Sequence, residues 1–321
     1  MKDRFGREID YLRISITDRC NLRCRYCIPD GVKLVPMGEL LTYEEIEEVC
    51  RVGAELGISK IKVTGGEPLA RKGAAKLIRM LKRIPGISSV TMTTNGVLLA
   101  QYLDELKANG LNGVNISLDT LDRDRYQEIT GQDRLLQVME AVELALKSGI
   151  RVKLNAVLWG EVRDSDWQGL LELARTRPLD VRFIELMPIG AGAGMDGYSN
   201  ELLLGKISEC YGMAERDERE HGNGPAVYYR LPGFAGSIGF ISPIHGNFCH
   251  GCNRLRMSAK GELKPCLCYE DTIPLKGLLR QKNQEGVRAA LVQAIMGKPD
   301  AHCFESPKKV TEKKNMIGIG G

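Results

Sequence analysis

Between Tyr11 and Met187 a short apolar run repeatedly gives way to residues at helical spacing, and this alternation limits the fold more than any other feature. The runs span Tyr11 to Thr17, Ser59 to Thr64, Ile87 to Thr94, Asn112 to Leu118, Ile150 to Leu158 and Asp180 to Met187. Thr42-Tyr-Glu-Glu45 opens the first helix as a capping box; Ile46, Val49, Gly53 and Leu56 share one face before Gly57 ends it. Further helices are expected over Ala74 to Arg83, Leu98 to Asn109, about Asp122 to Gly149 and about Asp164 to Arg175. Parallel strands need a crossover to return the chain, so the pattern predicts βα units in a parallel sheet. Six strands are two fewer than a closed barrel of eight uses, and the expected fold is α/β, an open, partial TIM-like barrel.

Beyond Gly190 the pattern changes. A Gly-rich loop leads to β-like runs at Val227 to Leu231, Ser237 to Ser242 and Leu255 to Leu263, the last turning at Lys260-Gly261. A final helix is expected within Leu275 to Met296, and the basic tail from Pro307 to Gly321 reads as mobile. The predicted division is a barrel over 1–190 and a β-rich layer over 191–321. MKDRFGREID lacks an apolar export segment, and no apolar run approaches the roughly 20 residues that cross a bilayer. A cytoplasmic protein with no membrane partner is expected. A net charge of +4 is too small and dispersed to argue for nucleic acid. Ten cysteines in such a chain indicate metal or redox work rather than a disulfide framework.

Strand side chains alternate between faces, so parity sorts them. Arg13, Ser15 and Thr17 oppose Leu12, Ile14 and Ile16, and Lys60, Lys62 and Thr64 oppose Ile61 and Val63. The later polar sets are Thr91, Thr93 and Asn95; Asn115, Ser117 and Asp119; Arg151, Lys153 and Asn155; and Arg182. Parallel strands covered by helices are ordinarily apolar on both faces, so a polar, basic side needs a reason. A half-solvated antiparallel sheet would supply one, but the strand–helix alternation argues against it. The other is a barrel lumen left unpacked for an anionic ligand. Arg13, Lys60, Lys62, Lys153 and Arg182 converging there would suit phosphates.

Cys20, Cys24 and Cys27 fall in a tight loop directly after the first strand, with no further Cys or His before Cys50. Three thiolates leave one metal position open, and open positions are where chemistry happens. Thr64-Gly-Gly-Glu-Pro68 follows the second strand; its glycines let backbone approach a ligand and Glu67 can accept from an ammonium group, although the P-loop pattern is absent. A second set is Cys249-His-Gly-Cys252 with Cys266. Structural zinc, with His245, His250 or Cys268 as fourth ligand, is one reading; a second open three-thiolate centre is the other. Cys50 lies on an apolar helix face, whereas Cys210 and Cys303 have no evident partner.

The cysteine loop paired with Thr64–Pro68 one strand later resembles the radical S-adenosylmethionine superfamily. The run from Phe240 through Cys249, Cys252, Arg254 and Arg256 to Cys266, and the opening Arg13-Ile-Ser-Ile-Thr-Asp-Arg19-Cys20, are similar to the GTP 3',8-cyclase family of molybdenum cofactor biosynthesis. The resemblance implies a 4Fe-4S cluster on Cys20, Cys24 and Cys27, whose fourth iron takes the amino and carboxylate groups of S-adenosylmethionine. It implies a second 4Fe-4S cluster on Cys249, Cys252 and Cys266, whose open iron binds the purine. By the same matching Tyr26 contacts adenine, and Gly66, Glu67, Ser117 and Met187 belong to the S-adenosylmethionine site. Arg13, Lys60, Lys62, Thr93, Lys153, Arg182, Arg254 and Arg256 would line the GTP site, and the Gly320-Gly321 end would reach into it. Lys62 stands where the family commonly has Arg, which keeps the charge and loses bidentate geometry.

The implied chemistry is reductive cleavage of S-adenosylmethionine, removal of the ribose 3' hydrogen of GTP and attack of C3' on C8 of guanine. The product, 3',8-cyclo-7,8-dihydro-GTP, would pass to a cyclic pyranopterin monophosphate synthase, and a low-potential donor would supply electrons. Either a monomer or a homodimer is compatible. The rival readings are a radical enzyme that modifies peptides, disfavoured by Asn253-Arg254-Leu-Arg256 and the Gly-Gly end, and a zinc-stabilised nucleotide- or RNA-binding protein.

Overall fold

The structure is a computed structural model that describes residues 1–28 and 31–319. The six expected strands form as β1 (Tyr11–Ser15), β2 (Lys60–Thr64), β3 (Ser89–Thr94), β4 (Gly113–Ser117), β5 (Arg151–Leu158) and β6 (Asp180–Glu185), each parallel to the next. Helices α1 (Tyr43–Glu55), α2 (Ala74–Lys82), α3 (Leu99–Ala108), α4 (Arg123–Thr130), α5 (Leu135–Lys147) and α6 (Asp164–Thr176) supply the crossovers. The Thr42 hydroxyl accepts from the Glu45 amide and the Glu45 carboxylate accepts from the Thr42 amide, closing the capping box of α1. The stretch expected as one helix from Asp122 to Gly149 is two, because Gly131 takes φ of 75° and ends α4 in the left-handed region.

The core lies between the outer face of the sheet and this helical ring. Leu12, Ile14, Ile61, Val63, Val90 and Met92 pack against Ile46 and Val49 of α1 and Leu77, Ile78 and Leu81 of α2. Burying each such side chain stabilises by about 1.5–3 kcal/mol, and the same apolar parity continues through Phe183 of β6. These are the residues opposite the polar sets, so the helices cover the apolar face and the lumen keeps the polar one.

The C-terminal region adds α7 (Asn200–Tyr211), β7 (Glu215–Arg216), β8 (Val227–Arg230), β9 (Ile238–Ile241), β10 (Arg254–Met257), β11 (Glu262–Lys264) and β12 (Ile273–Pro274). Rather than stacking as a separate layer, these strands extend the barrel sheet at both edges, in the order β12-β11-β10-β1-β2-β3-β4-β5-β6-β9-β8-β7. β10 runs parallel to β1 and β9 parallel to β6. A β-carbon at Gly236 would collide with the Leu179 carbonyl, so glycine is what lets the chain entering β9 come alongside β6. The arc holds eight parallel strands yet stays open, because antiparallel strands continue it at both ends.

The last expected helix is also two, α8 (Lys276–Arg280) and α9 (Gln284–Met296), broken at Lys282 with φ of 54°. The tail contradicts its mobile reading. Lys264 and Glu312 form a fully buried ion pair, Ala191 donates to the Asn315 side chain at 3.0 Å, and α10 (Met316–Ile319) packs its apolar residues inward. Gly320 and Gly321 lie outside the described residues. Among the described residues no helix is long and apolar enough to cross a membrane.

Candidate active site

The arc encloses a cavity of about 370 Å³ lined by both cysteine sets and by the polar strand residues between them. Chain direction separates the two sets. Cys20–Cys27 follow the C-terminal end of β1, whereas Cys249 and Cys252 precede β10, which runs parallel to β1 with Tyr11 level with Arg254. Cys266 follows β11, which runs back along β10 to the same end. The two sets thus sit at opposite ends of a five-residue strand, roughly 16 Å apart at about 3.3 Å per residue.

At the β1 end, burial pushes the Cys27 thiol up to about 12; neighbouring Cys20 and Asp119 add to the rise and the Ile317 amide opposes it. Burial, followed by the Asp119 charge and the other two thiols, holds Cys24 well above the ordinary thiol value. Among the described residues no three Cys, His, Asp or Glu side chains converge closely enough for one metal ion. A tetrahedral zinc would draw its thiolates to within about 2.3 Å of one point, whereas a 4Fe-4S cube spreads three thiolates over three irons. Three thiols lining one cavity fit a group that takes three thiolates and keeps one position open. Tyr26 lines the cavity beside them; its hydroxyl donates to Asp119 at 2.9 Å, and Asp119 also accepts from the Val157 amide at 2.8 Å.

The Thr64–Pro68 turn has a different logic from the one its sequence suggested. A β-carbon at Gly66 would collide with the Arg19 carbonyl, and one at Gly65 would come 2.7 Å from the Thr17 carbonyl. The glycines are needed first to seat this turn on the strand exit that leads into the cysteine loop, and both then line the cavity. Glu67 is wholly buried and is not among the lining residues. Its carboxylate accepts from Leu69 N, Thr94 Oγ1 and Asn95 N, while burial raises it to about 7. It braces the turn against the end of β3 through these three donors.

Every other expected site residue within the described range lines the cavity, including Ser117 and Met187. Register sets the cations beside one another. Arg13 has Arg256 on one neighbouring strand and Lys62 on the other, and Tyr11 stands between Arg254 and Lys60 one step below. Burial, then Arg182, Arg13 and Lys153, holds Lys62 well below the ordinary lysine value. Burial, then Arg13 and Arg254, does the same to Arg256. Like charges opposite one another destabilise a sheet, so this row favours a polyanion. Two cations carry internal counter-charges: Lys60 pairs with Asp10 at 2.7 Å, and Lys153 pairs with Asp180 at 2.9 Å while donating to the Tyr228 hydroxyl and the His221 carbonyl. Among the described residues Thr64 Oγ1, Asn155 Oδ1 and Arg182 Nε are buried with no hydrogen-bond partner, on residues that line the cavity. Orphaned polar atoms at a polar cavity fit a polar occupant.

At the opposite end, burial would raise Cys252, but the Arg254 and Lys298 charges outweigh it and bring the thiol down to about 6. Cys268, weighed as a further ligand, is not among the cavity-lining residues; its sulfur lies 3.2 Å from that of Cys303, in an apolar cluster with Leu267 and Phe304. Cys303 thus has a partner that its sequence position hid. His245 is engaged with Glu185 at 2.8 Å. The sequence reading missed Arg7, which donates to the carbonyls of Cys249, Pro299 and Asp300, and Lys298 and His302, which line the cavity. No local pattern marks them as cavity residues, since the carbonyls that Arg7 and Lys298 bind are remote in the chain.

Residues 14–174 match the family described as the Radical SAM superfamily, and residues 179–304 match that described as Molybdenum Cofactor Synthesis C. A GTP 3',8-cyclase of Alkaliphilus metalliredigens is 44% identical, with all of both chains covered. One from Moorella thermoacetica is 45% identical over 99% of this chain and all of its own, and one from Clostridium perfringens is 42% identical over the whole of both. In fold the chain is similar to Streptococcus suis SuiB bound to S-adenosylmethionine, with a TM-score of 0.63, 13% identity and coverage of 96% of this chain and 76% of that one.

Proposed function

The chain belongs to the GTP 3',8-cyclases of the radical SAM superfamily, and from that premise we propose how the residues around its cavity divide the work. It converts GTP to (8S)-3',8-cyclo-7,8-dihydroguanosine 5'-triphosphate, the first step of molybdenum cofactor biosynthesis, with 4Fe-4S clusters and S-adenosylmethionine as cofactors.

In our reading Cys20, Cys24 and Cys27 hold one cluster and Cys249, Cys252 and Cys266 the other. When bound, the first cluster supplies the electron for reductive cleavage of S-adenosylmethionine. Tyr26, fixed by Asp119, presents its ring to the adenine, while Gly65 and Gly66 offer backbone and Ser117 and Met187 complete that end. Glu67 serves this site through the turn it braces. Arg13, Lys62 and Arg256 form a cationic row for the triphosphate, with Lys60, Thr93, Lys153, Arg182 and Arg254 around it. In this reading base and ribose lie between the two cysteine ends, where enclosure by the cavity keeps water from the reacting carbon. The segment 1–190 carries the first cysteine set and 191–321 the second, with strands that extend the sheet at both edges. A low-potential donor and a downstream synthase that forms cyclic pyranopterin monophosphate complete the scheme.

The observation that carries this reading is that two three-cysteine sets, remote in sequence, line opposite ends of one basic cavity. Anaerobic reconstitution tests it: about eight irons per chain with brown absorption are expected, and a colourless zinc protein would refute it. Arg254→Ala and Arg256→Ala should each weaken GTP binding with the first cluster intact; wild-type affinity in both would remove them from the GTP site.

A further inference from the structure

Lys298 follows α9 and is 2% exposed, yet among the described residues it forms no ion pair with a carboxylate. Its ammonium has three protons to donate, and the structure gives it three partners. Nζ donates to the Arg254 carbonyl at 2.7 Å, to the Pro265 carbonyl at 2.9 Å and towards Cys252 Sγ at 3.8 Å. The first carbonyl lies two residues after Cys252 and the second immediately before Cys266. One side chain therefore ties together the two chain segments that bring Cys252 and Cys266 to the cavity. An isolated ammonium buried this deeply is unfavourable unless an anion compensates, and the thiols beside it are the groups able to provide that anion. Arg7 holds the following residues in place through the Pro299 and Asp300 carbonyls and reaches the Cys249 carbonyl with the same guanidinium. Lys298 and Arg7 thus contact the arms of all three cysteines.

We propose that Lys298 is a positioning residue of the second cluster: it fixes the Cys252 and Cys266 arms, places a positive charge against the cluster, and through the Arg254 carbonyl holds the main chain that carries Arg254, a residue of the GTP site in our reading whose guanidinium reaches Cys252 Sγ at 3.8 Å and lies over Phe248. This rests on the reading that Cys249, Cys252 and Cys266 hold a 4Fe-4S cluster. A cation and an N–H···S contact both stabilise the reduced, more negative cluster, so Lys298 raises its reduction potential.

The test compares wild type, Lys298→Met and Lys298→Arg after anaerobic reconstitution, reading iron per chain, the midpoint potential of the second cluster by spectroscopic redox titration, and GTP affinity. GTP-independent cleavage of S-adenosylmethionine reports whether the barrel half is intact. Lys298→Met should either fall from about eight irons to about four, or keep them with a midpoint lower by at least about 59 mV, which is a tenfold change in a one-electron equilibrium. Its GTP affinity should also fall severalfold, and Lys298→Arg should recover most of both losses. A Lys298→Met protein with full iron, wild-type midpoint and wild-type GTP affinity overturns the proposal. Should that variant not fold, Lys298→Gln, which keeps a donor and drops the charge, is held to the same criteria. Wild type holding only about four irons would instead refute the cluster assignment on which the proposal stands.

Discussion

Replacing Lys62 with Met should make the protein more stable without ligand and worse at binding GTP. Lys62 is 8% exposed, stands beside Arg13 in strand register and shares the lumen with Arg182 and Lys153. Neighbouring strands are about 4.8 Å apart; with charges about 7 Å apart and an effective dielectric near 20, each like-charged neighbour costs about 2 kcal/mol. Methionine keeps most of the stem and removes the charge. Burial of the ammonium adds to this repulsion, so a net gain of several kcal/mol follows, read as a rise of several degrees in the apo-protein melting temperature. The pH dependence has a definite sign. Burial and the neighbouring cations depress the folded value of Lys62 below the 10.5 of an ordinary lysine, so the folded chain binds fewer protons than the unfolded one between the two values. Wild-type stability therefore rises with pH through that window, and the advantage of Lys62→Met shrinks as it does. GTP reverses the balance, because its phosphates need the charge: affinity by calorimetry should fall at least about 30-fold, the equivalent of about 2 kcal/mol for losing one partner of a buried charge pair. A variant that melts below wild type at neutral pH, or binds GTP like wild type, would refute the reasoning.

Cys268→Ser should retain about eight irons per chain, since Cys268 faces Cys303 rather than the cavity; a drop to about four would make it a ligand. Glu67→Ala orphans buried donors at about 1–3 kcal/mol each, so it should lower the melting temperature and weaken S-adenosylmethionine binding together. Glu67→Gln should keep most of that binding, and its loss without a change in melting would place Glu67 in direct contact with the ligand. In apo-protein at pH 7, iodoacetamide should label Cys252 before Cys27, because a value of about 6 leaves it mostly thiolate while Cys27 is near 12; peptide mapping that finds Cys27 labelled ahead of Cys252 would contradict the electrostatics described.

The barrel strands were legible because parity is a local property: Leu12 and Ile14 against Arg13 and Ser15 say which face meets the helices before any partner is known. The lumen followed from the same alternation, and its polar residues, Ser15, Thr17 and Asp119 excepted, line one cavity. Pairing beyond neighbours was not legible. Nothing near Arg254 indicates that β10 will lie beside β1, more than two hundred residues earlier, and so the C-terminal strands read as a separate layer. The break at Gly131 was hidden because glycine is also tolerated within helices. The tail looked mobile from its lysines, yet Lys264 and Glu312 neutralise each other out of solvent. Glu67 looked like a ligand because it sits in a Gly-rich turn; its sequence position gave no sign that Thr94 and Asn95 at the end of β3 would also donate to its carboxylate. Lys298 and Arg7 act through main-chain carbonyls, which leave no trace in residue type.

The most direct test of two cluster sites flanking one GTP chamber is a turnover of reconstituted protein with S-adenosylmethionine, dithionite and GTP carrying deuterium at ribose C3'. The account predicts that 5'-deoxyadenosine forms in proportion to cyclised product and carries the deuterium. Unlabelled 5'-deoxyadenosine formed at the same rate without GTP would contradict it.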